Sequence, residues 1–117
     1  MKPSLKNKKR YIAYKFYNYS NSQIELSKVI EEIFEKFFGI YGCLETGLKV
    51  VNCDEKNNQV ILSSFAGKED RVCFFFSLVN NYRGNPIRLE LIGISGTIDA
   101  LKRKKGIKIS KKIKKKL

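Results

Sequence analysis

The hydrophobic residues of this chain alternate at every second position in some segments and recur at helical spacing in others, and the order of these segments limits the possible folds. The segments are, in chain order, strand 10–19, helix 22–39, strand 48–53, strand 59–65, helix 68–80 and strand 86–94. The order β-α-β-β-α-β is that of the split βαβ sandwich of ferredoxin-like domains. We therefore predict an α+β fold with a four-stranded antiparallel sheet, two helices on one face of the sheet, and a short third helix from Thr97 to Lys105.

Residues with known positional preferences mark the ends of the predicted helices. Ser22 and Glu25 fit a capping box at the start of the first helix, and Gly39 is expected to end it. Residues 39–42 also match the GXXG pattern of KH domains, but no basic residue lies between the two glycines and the segment joins a helix to a strand. We interpret these residues as a helix stop. The turn-forming sequence at 80–86 closes the second helix.

The chain of 117 residues, of which 43% are hydrophobic and eight are Phe, is long enough for one domain with one modest core. We expect a basic N-terminal arm at 1–9, a single domain at 10–105 and a basic tail at 106–117. The tail has too little apolar surface to offset the entropy of ordering, so we expect it to be disordered when free. Its Ile109, Ile113 and Leu117 recur at every fourth position, which leaves a membrane-surface helix as an alternative.

No apolar run approaches the roughly 20 residues of a membrane span, and the basic start lacks the hydrophobic region of a signal peptide. The three cysteines, Cys43, Cys53 and Cys73, are widely spaced and odd in number, and the chain has no His. This pattern favours three core or half-buried thiols over a disulfide framework or a zinc site. We expect a cytoplasmic protein that contacts no membrane and binds no metal or cofactor.

The positive charge is concentrated at the two ends. Residues 1–10 carry five positive charges and residues 101–117 carry ten, without an acid in either segment. Residues 11–100 carry nine basic and eleven acidic side chains, so the net charge of +13 is 15 from the ends less 2 from the middle. A nearly neutral body with cationic ends is typical of proteins that bind a polyanion, and it favours a nucleic acid over a small acidic ligand.

The segment at 93–105, GISGTIDALKRKK, combines a glycine-containing turn, a helix start and a basic cluster. Thr97 is a candidate N-cap and Asp99 would lie in the first turn, where the helix dipole favours an anion. The cluster of cations then follows at the helix C-terminus. The segment on its own fits a phosphate-binding site and a well-capped surface helix with a solvated end equally well; the charge distribution favours the phosphate site.

The residues needed for catalysis are mostly missing. Without His the chain has no Ser-His or Cys-His pair, and it has no P-loop. The acidic pairs Asp54/Glu55 and Glu69/Asp70 leave a two-metal nuclease as an alternative, but a hairpin loop and a helix first turn explain them as well. Cys73 has no base in view and is interpreted as a core residue. We predict no catalytic residue in this chain.

The third predicted strand does not carry the aromatic RNP1 motif of RRM domains, since residues 57–65 read NNQVILSSF. Sequence reading by base stacking on the sheet is therefore not supported. The remaining hypothesis is that the ends and turns of the chain recognise phosphates and the shape of the RNA.

Three blocks of the sequence resemble the ribonuclease P protein component 2 family, the small Pop-type subunits of archaeal and eukaryotic ribonuclease P. Residues 8–16, KKRYIAYKF, are similar to the family's opening strand, in which a basic pair precedes R-Y-I-A-F. Residues 93–105 resemble its G-V-S-G-T-I block followed by basic residues, and residues 37–54 resemble its helix end, glycine-rich turn and second strand. The likeness covers about residues 5 to 106 in the right order and spacing.

The chain departs from the family pattern at several positions. Tyr14 stands where Phe is usual, Asp99 where a basic residue is common, and Ser63 and Ser64 at a strand end that often contains Arg. These differences bear on individual RNA contacts more than on the resemblance itself.

The resemblance implies a subunit of the ribonucleoprotein that removes 5′ leaders from precursor tRNA. It implies that the RNA component hydrolyses the phosphodiester with its own bound Mg²⁺, while the protein neutralises phosphates and stabilises the RNA fold. It also implies protein partners, namely ribonuclease P protein component 3 and a second copy of this chain, in a heterotetramer. Precursor tRNA would be contacted indirectly. Phe74 and Phe75, if exposed, are candidates for the protein interfaces.

We assign nine residues to RNA binding: Lys8, Lys9, Arg10, Ser95, Thr97, Lys102, Arg103, Lys104 and Lys105. A structural RNA-binding protein of the ribosomal type is the main alternative, because it shares the basic tails and the fold and differs only in lacking the motif blocks. A stand-alone carboxylate nuclease is a further alternative.

Overall fold

A computed structural model describes residues 8–102, apart from the side chain of Lys102. The strands are β1 (Lys9–Asn18), β2 (Lys49–Asp54), β3 (Gln59–Phe65), β4 (Asn81–Tyr82) and β5 (Asn85–Ser95). The helices are α1 (Leu26–Ile33), α2 (Gly39–Thr46), α3 (Glu69–Ser77) and α4 (Ile98–Lys102), and a π-helical segment, Phe34–Phe38, joins α1 to α2. The predicted α+β class is confirmed.

The strands form one antiparallel sheet in the order β2-β3-β1-β5-β4. The first strand lies in the middle because Ile12 is opposite both Leu62 of β3 and Ile94 of β5. The sheet has five strands rather than the predicted four. The extra strand, β4, has only two residues and forms a hairpin with the start of β5, where a simple turn was predicted.

The main core lies between one face of the sheet and the helices α1 and α3. Alternate residues of β1, Ile12, Tyr14 and Phe16, face this core and are 0 to 3% exposed. Leu26, Val29, Ile30 and Ile33 contribute the buried side of α1, and Val72 and Phe76 contribute that of α3. The predicted placement of two helices on one face of the sheet is confirmed.

A second, smaller cluster lies on the opposite face of the sheet. Leu101 of α4 is fully buried there against Ala13 of β1 and Ile61 of β3. The predicted third helix therefore exists, and it covers the middle of the face that α1 and α3 leave free.

The start of the first helix differs from the prediction. The capping box of Ser22 and Glu25 is wrong, because α1 begins at Leu26 and Glu25 makes no side-chain hydrogen bond to the helix. The carboxylate of Glu55, in the β2–β3 loop, instead accepts hydrogen bonds from the backbone N–H groups of Leu26 and Ser27, at 2.7 and 3.4 Å, and from the Ser27 hydroxyl at 3.0 Å. A residue distant in sequence thus supplies the cap.

Gly39 ends the first helical stretch, as predicted: it caps the π-helical segment with φ of +63° and a backbone outside the helical region. A strand does not follow at once, because α2 begins at this residue and ends at Thr46, where Gly47 caps it with φ of +68°. Residues 39–42 therefore lie inside a helix and do not join a helix to a strand. None of the helices within residues 8–102 is long and apolar enough to cross a membrane.

Candidate nucleic-acid interface

The basic start of β1 and the turn after β5 meet at the same end of the sheet. They meet because β1 is central, so that Lys9 is opposite Phe65 at the end of β3 while Tyr11 is opposite Ser95 at the end of β5. A cleft of about 470 Å³ opens at this edge, and its lining residues are Lys8, Lys9, Arg10, Tyr11, Ala66 and Gly96. Two sequence blocks more than 80 residues apart thus form one surface.

The three basic residues at the start of β1 differ in their surroundings. Lys8 is exposed and Lys9 is half-buried, and neither makes an ion pair within residues 8–102. Arg10 points to the side of α3, where its Nε lies 3.5 Å from Oε2 of Glu69 without hydrogen-bond geometry. A Cβ placed on Gly96 would lie 3.8 Å from Arg10 Nη1, so the guanidinium also borders the turn. Among the described cations of the cleft, Lys8 and Lys9 are therefore the two without a carboxylate partner in residues 8–102.

The turn after β5 is organised by its own hydroxyl groups. The Thr97 Oγ1 accepts a hydrogen bond from the backbone N–H of Ala100 at 3.1 Å, which confirms Thr97 as the N-cap of α4. The Ser95 Oγ accepts from the backbone N–H of Thr97 at 3.4 Å, and Ser95 is 8% exposed. Both oxygens act as acceptors, so each hydroxyl keeps a proton that can be donated to a phosphate. Asp99 lies in the first turn of α4, as predicted.

The basic cluster after Asp99 extends past the part of the chain that the structure describes. Lys102 is the last residue of α4, and its side chain is outside the description. Arg103, Lys104 and Lys105 lie outside the described residues, as do residues 1–7 and the tail at 106–117. Their role in RNA binding stays a prediction.

Ser63 and Ser64, at the position where the resembling family often carries Arg, are buried beneath this end of the sheet. They are opposite Tyr11 and Arg10 of β1. Their side chains therefore lie beneath the cleft and are not part of its accessible surface.

The acidic side chains have structural partners. Asp54 accepts hydrogen bonds from the backbone N–H and the side-chain amide of Asn57, and Glu55 caps α1. Glu69 accepts a hydrogen bond from the backbone N–H of Gly67 at 2.7 Å, in addition to its contact with Arg10. Across residues 8–102 no three acidic or cysteine side chains are grouped so that they could hold a metal ion. Three of the four acidic residues in these pairs, Asp54, Glu55 and Glu69, thus have structural roles as hydrogen-bond acceptors.

The three cysteines are free and half-buried, which confirms the interpretation from the sequence. Burial raises the pKa of Cys53 to about 11, and the charges of Glu55 and Asp54 add to this rise. Burial also raises the pKa values of Cys43 and Cys73. A thiol with a raised pKa carries little thiolate at neutral pH and is a poor nucleophile.

An exposed apolar face lies across the π-helical segment, α2 and α3. On α2, Ile40, Tyr41 and Leu44 are 79%, 87% and 68% exposed. They continue into a group of aromatic rings in which Phe38 contacts Phe75 and Phe75 contacts Phe74, both at a centroid distance of 5.4 Å. We call this surface the aromatic face; it consists of Phe34, Phe38, Ile40, Tyr41, Leu44, Phe74 and Phe75.

Phe74 and Phe75 were predicted to contribute to protein interfaces. Phe74 is 59% exposed, whereas Phe75 is half-buried among the other rings. The α2 part of the aromatic face was missed because residues 39–42 had been interpreted as a turn. The signal available in the sequence was that Ile40, Tyr41 and Leu44 are large apolar residues at helical spacing.

The relatives found by comparison with known proteins agree on one family. The model of the Rpp14/Pop5 family matches residues 10–105. Ribonuclease P protein component 2 of Pyrococcus furiosus is 32% identical over 105 residues, which cover 87% of this chain and 86% of the relative. The component 2 proteins of Thermococcus gammatolerans and Methanococcus aeolicus are each 29% identical, over 87% and 82% of this chain and 86% and 70% of theirs.

A solved structure shares the fold. A chain of yeast ribonuclease MRP, determined by cryo-electron microscopy, superposes with a TM-score of 0.57 at 11% identity, covering 78% of this chain and 76% of that one.

Proposed function

The chain belongs to the Rpp14/Pop5 family, and from that membership we propose that it is a protein subunit of ribonuclease P, the ribonucleoprotein that removes 5′ leaders from precursor tRNA. In this role it binds the catalytic RNA and stabilises its fold. The observation that carries the proposal is the match of one family model to residues 10–105, the whole of the predicted domain. The motif blocks that resemble component 2 all fall within these residues apart from the first two lysines.

The proposed role in the complex is not catalytic. The RNA, with its own Mg²⁺, performs the hydrolysis, and this chain supplies positive charge. The engagement of Asp54, Glu55 and Glu69 in local hydrogen bonds and the raised pKa values of the cysteines support this division of labour. Lys8 and Lys9 are proposed as phosphate contacts, with Arg10, Ser95, Thr97 and residues 102–105 beside them.

The aromatic face supports an assembly with other proteins. Contiguous exposed apolar surface on a soluble domain marks an interaction site. We propose that this face serves the protein partners, component 3 and a second copy of the chain in a heterotetramer, while the cleft at the other surface serves RNA. We further propose a cytoplasmic location, and a ferredoxin-like domain in which β4 extends the four long strands.

The test of the function is copurification from cells of the source organism. The tagged full-length chain should bring down one RNA that, with the associated proteins, cleaves precursor tRNA at the 5′ leader in Mg²⁺. Recovery of ribosomal RNA instead would contradict the proposal and support the structural ribosomal alternative. Cleavage by the RNA-free protein, lost in Asp54→Asn or Asp70→Asn, would support the carboxylate nuclease.

The cleft can be tested with a charge-matched pair of variants. Lys8→Ala/Lys9→Ala should weaken binding to the copurified RNA and lower the slope of log K against log salt by roughly 0.7 to 0.9 per residue, if each contacts one phosphate. Lys28→Ala/Lys56→Ala is the control, because it removes the same charge from exposed positions near the loop that caps α1, at the other end of the sheet. Equal effects of the two pairs would show nonspecific attraction and refute the placement of the site.

A further inference from the structure

The face of β1 that points away from α1 and α3 alternates basic and aromatic residues. Lys9, Tyr11, Lys15 and Tyr17 share this face. Helix α4 covers its middle, where Leu101 is buried against Ala13. The backbone N–H of Phe16 still donates to the carbonyl of Asn58, just before β3; beyond it the strand pairs with β5, and in this region the face carries Tyr17 and, just after the strand, Tyr19. Tyr19 is 61% exposed.

The rings of Tyr17 and Tyr19 are nearly parallel but loosely spaced. Their planes differ by 6° and their centroids are 6.3 Å apart. The buried pair Tyr14 and Phe76 is closer, with centroids 4.8 Å apart. The exposed ring of Tyr19 offers an open face on which a planar base can stack, and the nearly parallel ring of Tyr17 extends this surface.

Charged neighbours hold Tyr17 in place. Its hydroxyl donates a hydrogen bond to Oε1 of Glu90 at 3.0 Å, and the Cζ of Arg88 lies 5.4 Å from its ring centroid. Arg88 also forms an ion pair with Glu90 at 2.9 Å. With Lys15 opposite Glu90, two cations and one anion surround the rings. The site combines a fixed aromatic ring, an exposed one and a net positive charge.

We propose that Tyr17 and Tyr19 form a stacking site for an unpaired base of RNA, with Arg88 and Lys15 beside it for the adjoining phosphate; this rests on the proposed function as an RNA-binding subunit. Stacking on aromatic side chains combined with positive charge is how many proteins bind single strands. The site is separate from the Lys8–Arg10 cleft, which lies at the other end of β1. The RNP1 pattern does not find it because its aromatic residues are on β1 and just after it, whereas β3 contributes Gln59 and Ile61, both buried, to the same face of the sheet.

The proposal can be tested on the full-length chain with two synthetic RNAs. One is a short single-stranded oligoadenylate containing one 2-aminopurine, and the other is a perfectly paired duplex with the same number of phosphates. Tyr19→Ala should weaken binding of the single strand by about five- to a hundredfold, the range that loss of one base stack gives, and leave duplex binding unchanged. Tyr19→Phe, which keeps the ring, should bind like the parent protein.

Tyr41→Ala is the matched control, since Tyr41 is 87% exposed on α2 and lies in the aromatic face. It should change neither affinity. Quenching of 2-aminopurine fluorescence should disappear with Tyr19→Ala and persist with Tyr41→Ala. Tyr17→Phe is a second test variant, which keeps the ring and removes only the hydrogen bond to Glu90. It should retain most of the affinity for the single strand.

Unchanged single-strand binding by Tyr19→Ala, or an equal loss with Tyr41→Ala, would refute the stacking site, as would an equal loss of single-strand and duplex binding. A loss of protein partners from the copurified complex with Tyr19→Ala, with single-strand binding intact, would show a protein-binding surface instead. The outcome is independent of the identity of the natural RNA, since ribonuclease P RNA could fail to copurify while the oligonucleotide result stands.

Discussion

At the residue scale, the main core contains one hydroxyl group without a hydrogen-bond partner. Tyr14 is 2% exposed, its ring stacks on Phe76, and its hydroxyl has no hydrogen bond of acceptable geometry within residues 8–102. Burial raises the pKa of Tyr14, and the neighbouring Cys73 thiol adds to the rise. The group therefore stays protonated, and its desolvation opposes folding.

Replacing Tyr14 by Phe should leave the fold unchanged and raise its stability. Removing an unsatisfied buried hydroxyl is expected to gain on the order of 1 kcal/mol, which corresponds to an increase of about 4 to 8 °C in Tm for a domain of this size. The measurement is thermal unfolding by circular dichroism.

Tyr11→Phe serves as the control for Tyr14→Phe, because Tyr11 is half-buried on the other face of the sheet, where it packs against the second cluster and not against Phe76 and Cys73. Its Tm should change little. A Tm lowered by several degrees in Tyr14→Phe would show that the hydroxyl is hydrogen-bonded to the Cys73 thiol in solution.

At the scale of the elements, the long strands were predicted within about two residues, because alternation of apolar residues between turn signals is a local property. The elements that failed depend on distant residues or are very short. The start of α1 could not be predicted, since its cap comes from Glu55, 29 residues after Leu26. The strand β4 has two residues and no periodicity to detect.

The residues of the candidate site were predicted, but their assembly into one surface was not. Lys8 to Arg10 and Ser95 to Thr97 were each assigned to RNA from their local sequence. Their meeting at one cleft follows from the register of β1 with β5, which only the long-range pairing determines. The pair Tyr17 and Tyr19 was missed because the motif search considered only the third predicted strand.

The cap supplied by Glu55 makes α1 depend on the β2–β3 loop. Glu55→Ala should remove three hydrogen bonds and the favourable charge at the helix start, and lower the stability by about 0.5 to 2 kcal/mol. Lys56→Ala, in the same loop, is the control and should have little effect. Urea unfolding measures both. Equal stability of the two variants would show that water replaces the cap without cost.

At the scale of the whole molecule, the charge and the fold are carried by different parts of the chain. Residues 11–100 have a net charge of −2, although they contain nearly all the described core. We therefore expect the cations at the two ends to act in binding, since they are not needed to fill the described core. Repulsion among them opposes any compact arrangement of the ends, and the phosphates of an RNA remove this repulsion. The ends should thus act on affinity and association rate rather than on stability.

Deleting residues 107–117 tests this separation, because it removes six lysines and four large aliphatic residues at once. We expect Tm to change by less than about 5 °C, the shift that a loss on the order of 1 kcal/mol produces. RNA affinity at low salt should fall, and the salt slope should decrease by roughly 0.7 to 0.9 for each lysine that contacts a phosphate. Replacing the same six lysines by Gln in the full-length chain distinguishes charge from apolar contact. If the tail acts by charge alone, the Gln variant should match the deletion in affinity and in salt slope. If the Gln variant binds like the parent protein while the deletion does not, the aliphatic residues make the contact, and the electrostatic account of the tail is wrong.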